Sequence, residues 1–516
     1  MRARKAIWLF PSLAVISILV GSISIGAAQV SPSDAPANDP HAGGEQDRSA
    51  PVPTFKSRTD LVLVPVVVRD SKGGHVRGLS REAFSLKEKG KDQEITLFEE
   101  VRPDSSRTPG MPDRGYGNTA YDSAGRPQLT IIVLDLLNMR LLQQAEAKEQ
   151  IASFLERDLE EGQPVSLVKI TGDGLKQIQP ITADREKLLQ ALKKMPLWTG
   201  VVMLRQNHVE PVIQSLRDIG EAYTGIPGRK SLILVDGILP ELQLDPSRTM
   251  ETDYTWALQR MGQSLMNASI SVYPLGIASW APNSTFDRPR AWPRDVFLRS
   301  FAAETGGNIC FEAQWKGCMA DAVEDSRSYY LLGFHVRSND RKPGWRDLKV
   351  SVAVEHADVR ARSGFYYGPP PASDAKTARE EEINALGSAV PKSDVPMYVE
   401  VLGMEGVASG DKNKKTVSFM INLPLGSVRV DTSKANPLDL KVGAIAITDK
   451  KTKEAGELLH DLRGTPKPEN LQTWTRSGIQ IPEKLDLPTG IYDMRFFVHD
   501  MNSGQIGTVV FPLTVE

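Results

Sequence analysis

Hydrophobic and polar positions change rhythm several times along the chain, and each change marks an element boundary. Leu61-Val-Leu-Val-Pro-Val-Val-Val68 is a β-rich run closed by the polar, glycine-containing turn Asp70-Ser-Lys-Gly-Gly74. Phe84-Ser-Leu86 and Ile95-Thr-Leu97 alternate apolar and polar residues as half-buried strands do, with Gly90 turning the chain between them. This rhythm predicts a small β module over 54–101, then a linker over 102–126 that is rich in Pro, Gly, Asp and Ser. From 127 the character changes. Leu129-Thr-Ile-Ile-Val-Leu134 is continuously apolar and ends at Asp135, the pattern of a strand buried on both faces of a parallel sheet. Leu141, Ala145, Ile151, Phe154, Leu155 and Leu159 then follow at helical spacing. Further strands are predicted at 165–170, 231–235, 270–275 and 308–311, with helices at 183–194, 209–222, 254–266 and 296–303. Such alternation predicts an α/β domain over 127–326 with a doubly wound, mostly parallel sheet.

Past that domain, 329–335, 348–354 and 359–367 alternate like strands and predict a β-strand extension over 327–368, able to form a second layer beside the first module. Pro369-Pro-Pro371 and the charged run Arg379-Glu-Glu-Glu382 mark a linker over 369–390. The short β-like runs between Met397 and Val515 predict a C-terminal β-sandwich over 391–516. At the other end, Met1-Arg-Ala-Arg-Lys5 is basic, Ala6 to Ile25 carries no charge, and Gly26, Ala27 and Ala28 are small. That order predicts a signal peptide over 1–28 and an extracytoplasmic protein, periplasmic or secreted. Left uncut, the apolar stretch is long enough to span a bilayer, so a membrane anchor is the alternative. Residues 29–53 have almost no large apolar side chain and predict a disordered linker.

Composition narrows the picture. The 516 residues suffice for several domains. The 62 Lys and Arg balance 64 Asp and Glu for a net charge of −2, so no global basic field exists to hold nucleic acid. Two cysteines, Cys310 and Cys318, are too few for a four-thiolate zinc or iron–sulfur site. Export would place them in an oxidising compartment, where their spacing permits a local disulfide; two buried thiols are the alternative.

Several short motifs occur in order: Val66-Val-Val-Arg-Asp70, Gly78-Leu79, Phe84, Lys91-Asp-Gln93, Asp135-Leu-Leu-Asn138, Pro227-Gly-Arg-Lys-Ser231, Asp236-Gly237, Glu304-Thr-Gly-Gly307, Tyr330-Leu-Leu-Gly333 and Arg360-Ala-Arg-Ser-Gly-Phe-Tyr366. As an ordered set over about 54–368 they resemble the von Willebrand factor A (VWFA)-related proteins abundant in acidobacteria. Leu487-Pro-Thr-Gly-Ile-Tyr492, with Val498-His-Asp500 and Gly504, resembles the β-sandwich that often follows. The resemblance implies an extracytoplasmic protein with a von Willebrand A-like domain at 127–326, and it implies no known reaction. Such domains often hold a divalent ion through Asp-x-Ser-x-Ser in the first strand–helix loop, a Thr from a second loop and an Asp from a third. Mg²⁺ demands hard oxygen ligands in near-octahedral geometry. Here Asp135 is followed by Leu137 and Met139 where the serines would lie; Thr199 stands for the second-loop Thr and Asp236 for the third-loop Asp. The remnant Asp135, Thr199 and Asp236 implies a degenerate metal-ion-dependent adhesion site, holding Mg²⁺ or another divalent cation weakly or not at all. Alternatively, Asp135 and Asp236 accept backbone hydrogen bonds and shape the loops. Asp135, Asn138 and Asp236 together mark a partner-binding edge, since ligands bind outside the carboxyl ends of such strands.

No catalytic constellation accompanies this edge. The seven histidines form no metal-ligand spacing, and neither the Gly-x-Ser-x-Gly elbow nor a nucleotide P-loop is present. No catalytic residue is assigned, and the chain reads as a non-enzyme that binds an unidentified protein or cell-surface ligand. Two other classes stay open: an extracytoplasmic hydrolase whose carboxylates assemble only in the fold, and a membrane-anchored structural envelope protein.

Overall fold

The computed structural model describes residues 61–102, 115–119, 128–199, 209–236, 255–276, 291–310, 315–336, 342, 344–367, 375–424, 426–431, 433–448, 453–466, 474 and 478–516. The signal peptide and disordered linker read over 1–53 lie outside these residues. The first apolar run forms β1 (Leu61–Arg69), followed by β2 (Phe84–Glu88), β3 (Lys91–Gln93) and β4 (Leu97–Val101). Lys89 and Gly90 take φ of 47° and 75°, the left-handed pair that a two-residue hairpin between β2 and β3 requires. Within the predicted linker lies a short strand, β5 (Tyr116–Gly117).

The α/β part runs β6 (Leu129–Asp135), α1 (Leu141–Arg157), β7 (Val165–Thr171), β8 (Gly174–Thr182), α2 (Arg185–Lys194), α3 (Val209–Ala222), β9 (Lys230–Asp236), α4 (Thr255–Asn267), β10 (Ile270–Gly276), α5 (Ala291–Thr305) and α6 (Trp315–Arg327). Its sheet has the order β10-β9-β6-β7-β8, parallel throughout except for β8, which returns antiparallel along β7. Every residue of β6 and β9 is buried, which is why both read as unbroken apolar runs. Alternate side chains of β6 feed two cores. Ile132 and Leu134 pack with Ile151, Phe154 and Leu155 of α1 and Leu188 and Leu192 of α2. Leu129, Ile131 and Val133 pack with Val212, Leu216 and Ile219 of α3 and Met261 and Leu265 of α4. Helices therefore cover both faces. The expected strand at 308–311 is reduced to one parallel bridge, Cys310 to Leu275, and Phe311 lies outside the described residues.

β11 (Tyr329–His335), β12 (Gly344–Val352), β13 (Asp358–Ala361) and β14 (Gly364–Tyr367) do not form a separate extension. They interleave with the first strands in two four-stranded sheets, β13-β1-β11-β4 and β14-β12-β2-β3. Val64, Val66, Phe84, Leu86, Tyr330, Leu332 and Phe334 fill one core between them. The α/β part is thus an insertion between β4 and β11 of a two-sheet unit. Apolar burial between β1 and β11 closes that unit across the whole insertion.

The stretch 369–390, read as a linker, carries α7 (Ala375–Gly387). Glu382, from the charged run, is buried because Lys441 Nζ (2.6 Å) and His499 Nδ1 (2.9 Å) meet its carboxylate and dock the helix. Then follow β15 (Tyr398–Gly406), β16 (Lys414–Leu423), β17 (Leu438–Thr448), β18 (Lys453–Gly464), β19 (Ile479–Pro488), β20 (Gly490–Asp500) and β21 (Gln505–Val515). They make two antiparallel sheets, β19-β16-β15-β5 and β18-β17-β20-β21, over a common core that includes Phe419, Ile421, Val442, Phe496 and Phe511. β5 reaches this unit from far upstream, Tyr116 stacking on Phe511 at 4.1 Å. Among the described residues no helix is long and apolar enough to cross a membrane.

Candidate functional site

The strand order of the α/β sheet reverses between β6 and β9, and crevices at such switch points are where ligands bind in open α/β sheets. Asp135 closes β6 and Asp236 closes β9, in register with each other on adjacent parallel strands. Both carboxyl groups are buried. Asn138 turns back onto the first of them, its backbone N–H donating to Oδ1 (3.2 Å) and its side-chain Nδ2 to Oδ2 (2.7 Å). Burial first, and then the neighbouring Asp236, push the Asp135 carboxyl well above the usual carboxylate range; the hydrogen bonds from Asn138 and Leu137 oppose them without prevailing. The structure therefore brings Asp135, Asn138 and Asp236 together. Thr199 stands exposed at the rim, one residue past Trp198.

Gln144 of α1, invisible as a site residue in the sequence, organises the loops around this crevice. Its Nε2 donates to the carbonyls of Leu136 (3.3 Å), Met139 (3.0 Å) and Trp198 (3.2 Å), and its Oε1 accepts from the Trp198 N–H (2.8 Å). One buried amide thus ties the loop after β6 to the loop bearing Thr199.

A hard divalent ion needs six or more oxygen ligands. Both oxygens of Asp135 are engaged by Asn138, and the buried Leu137 and Met139 put hydrocarbon where the two serine oxygens would stand. Among the described residues no group of three or more His, Cys, Asp or Glu side chains is placed to hold a metal. The described residues do not fit a Mg²⁺ site. Exposed apolar side chains occur in the described loops that Gln144 ties together: Leu142 is 85% exposed and Leu141 48% at the start of α1, and Leu197 36% beside Trp198.

A second buried polar cluster lies where α6 meets the two-sheet unit. The Asp325 carboxylate accepts from Arg69 Nε (2.9 Å) and a terminal nitrogen of Arg69 (2.6 Å), from Arg360 (3.0 Å) and from the Tyr273 hydroxyl (2.6 Å), with His75 Nε2 at 3.1 Å. Arg229 donates to the Tyr273 hydroxyl (3.0 Å) and to the Gly306 carbonyl. Burial alone would raise the Asp325 carboxyl, but the close His75 imidazole and the charges of Arg229, Arg69 and Arg360 outweigh it and hold the group far below the usual carboxylate range. Arg362 donates to the carbonyls of Met266 (2.8 Å) and Leu63 (2.7 Å). Gly306 and Gly307 let the chain pass close by: a Cβ on Gly307 would sit 1.9 Å from the Val272 carbonyl oxygen, and Gly306 holds φ at +80°. The motifs around Arg69, Arg229, Gly306 and Arg360 therefore meet in one joint between the inserted domain and its host sheets. Cys310 and Cys318 form a disulfide, with Cα atoms 5.7 Å apart, joining the chain beside β10 to α6.

No protein-family model matches this chain, and no curated protein matches it. Among solved structures, the N-terminal domain of TFIIH p34 is similar at 12% identity and a TM-score of 0.23, over 39% of this chain and 97% of that one. The SpRpn10 VWA domain is similar at 11% identity and a TM-score of 0.23, over 36% of this chain and 87% of that one. At that level they say nothing of what this chain binds.

Proposed function

We propose that this chain is an exported von Willebrand A-like protein that works by binding a protein or cell-surface partner, its binding domain inserted in a two-sheet host unit and followed by a C-terminal β-sandwich. The partner docks on the edge formed by the loops after β6 and around Trp198. The observation that carries this reading is Leu142, 85% exposed at the start of α1, together with exposed Leu141 and with Leu197 in the loop that Gln144 ties to the end of β6. A large exposed apolar side chain in a ligand-binding position favours a contact surface. Burial of Asp135 and Asp236 makes these two carboxylates poor direct contacts for a ligand. Because the remnant metal site is closed by Asn138, Leu137 and Met139, the contact is apolar rather than ion-bridged. The order of charged, apolar and small residues at the N-terminus supports export.

A photo-crosslinking amino acid at position 142 of the full chain tests this in the exported fraction of the producing cell, with position 491, 62% exposed on β20, as the control. The expected result is a discrete adduct from 142 and none from 491, unchanged by EDTA and reduced at least tenfold by Leu197→Asp. Equal adducts from both positions, or loss of the adduct in EDTA, would overturn the proposal.

A further inference from the structure

β7 and β8 form a hairpin whose register sets Lys169 directly opposite Lys176. Like charges facing each other across an antiparallel pair are destabilising, and a bound anion would relieve the repulsion. Along the facing helix α2, Lys187, Gln190, Ala191 and Lys194 recur at spacings of three, four and seven and line one wall of a cleft of about 410 Å³. Lys169, Gln177, Ile178 and Gln179 line the other wall, and Met195 completes the lining. No carboxylate lines it. Lys187 meets Asp184, the N-cap of α2, in a solvent-exposed contact at 3.5 Å, a kind of pair that neutralises little. Partial burial, then the charges of Lys148 and Lys176, lower the pKa of Lys169, as expected where cationic charge is left uncompensated. On a chain whose net charge is −2, this is a local concentration of one sign.

We propose that the cleft between the β7–β8 hairpin and α2 is a binding site for an elongated oligoanion. Lys187 and Lys194 are seven residues apart, about 10 Å along the helix, a spacing that favours an extended anion over a compact one. A linear molecule with several oxyanion groups can reach both of them and Lys169. The cations are all lysines, which act as point charges rather than as the forked donors that select one planar group. Site recognition is therefore by charge spacing, and the oxyanions can belong to phosphates or to carboxylates.

Isothermal titration of the full chain with tripolyphosphate, orthophosphate and citrate at about 50 mM salt reads this out. Expected is saturable tripolyphosphate binding at least tenfold tighter than orthophosphate, weakened at least tenfold in Lys169→Gln and in the exposed-site variant Lys194→Gln. Citrate binding lost in the same variants would support the site and make polycarboxylates its ligand source; citrate much weaker than tripolyphosphate would make phosphates the source. Absence of saturable binding by tripolyphosphate and citrate, or affinities unchanged in both variants, would overturn the proposal. Lys194→Gln alters an exposed side chain, so its result stands even if the Lys169 variant folds poorly.

Discussion

Replacing Asp325 by alanine is expected to lower the unfolding free energy of the full chain by about 3–5 kcal/mol, the cost of leaving buried charges without their partner. Arg69 and Arg360 converge on this carboxylate, both largely shielded from water, and each would keep a solvent-exposed second partner, Asp321 at 2.9 Å and Asp358 at 2.7 Å, that compensates less than the buried Asp325. Tyr273 would lose its acceptor as well. Urea denaturation near pH 7 measures the loss, and a change under about 1 kcal/mol would show that the joint contributes little. The same carboxylate gives a pH signature. Its folded-state pKa lies far below the ordinary value of 3.8, so its stabilisation is fully present above about pH 4 and is lost as the pH falls further. Acid unfolding of the wild type should therefore begin below about pH 4, and Asp325→Ala should flatten that limb.

Asp236→Asn is expected to act in the opposite direction. In the wild type the Asp135 carboxyl is raised above 3.8, so the folded state holds that proton more tightly than the unfolded state. Stability from this group is fully present below about pH 4 and declines as the pH rises through the window between 3.8 and the raised value. An asparagine at 236 removes the like charge beside Asp135, whose carboxylate Asn138 already supports. The gain near pH 7 is about 1 kcal/mol, roughly one pKa unit of relieved repulsion, and it should vanish at about pH 4. Loss of stability near pH 7 would mean that the other contacts of the Asp236 carboxylate outweigh its repulsion of Asp135.

How much of this could be read from residues alone depends on burial. β6 and β9 are legible because both faces are covered, leaving unbroken apolar runs that end at Asp135 and Asp236. β8 is not, since most of its residues are half-buried and its pattern is mixed. α7 reads as a linker because its charged run looks solvated, and only the fold supplies Lys441 and His499 to the buried Glu382. Nor can local rhythm reveal that β1 pairs with β11 across the whole inserted domain. Gln144 and Asp325 escape for a related reason: a buried polar residue with partners distant in sequence resembles a surface one. For Asp325 a signal existed, since it stands three residues beyond Ala322 and six beyond Met319 on the buried stripe of α6.

Titration calorimetry of the full chain with Mg²⁺, Mn²⁺ and Ca²⁺, alongside Asp135→Ala, tests most directly whether this edge binds its partner without an ion. The account predicts no saturable binding that depends on Asp135, because Asn138 holds both oxygens and Leu137 and Met139 close the coordination sphere. Saturable binding in the wild type, abolished in a folded Asp135→Ala variant, would contradict it and make a carboxylate-bearing, metal-bridged partner the one to seek.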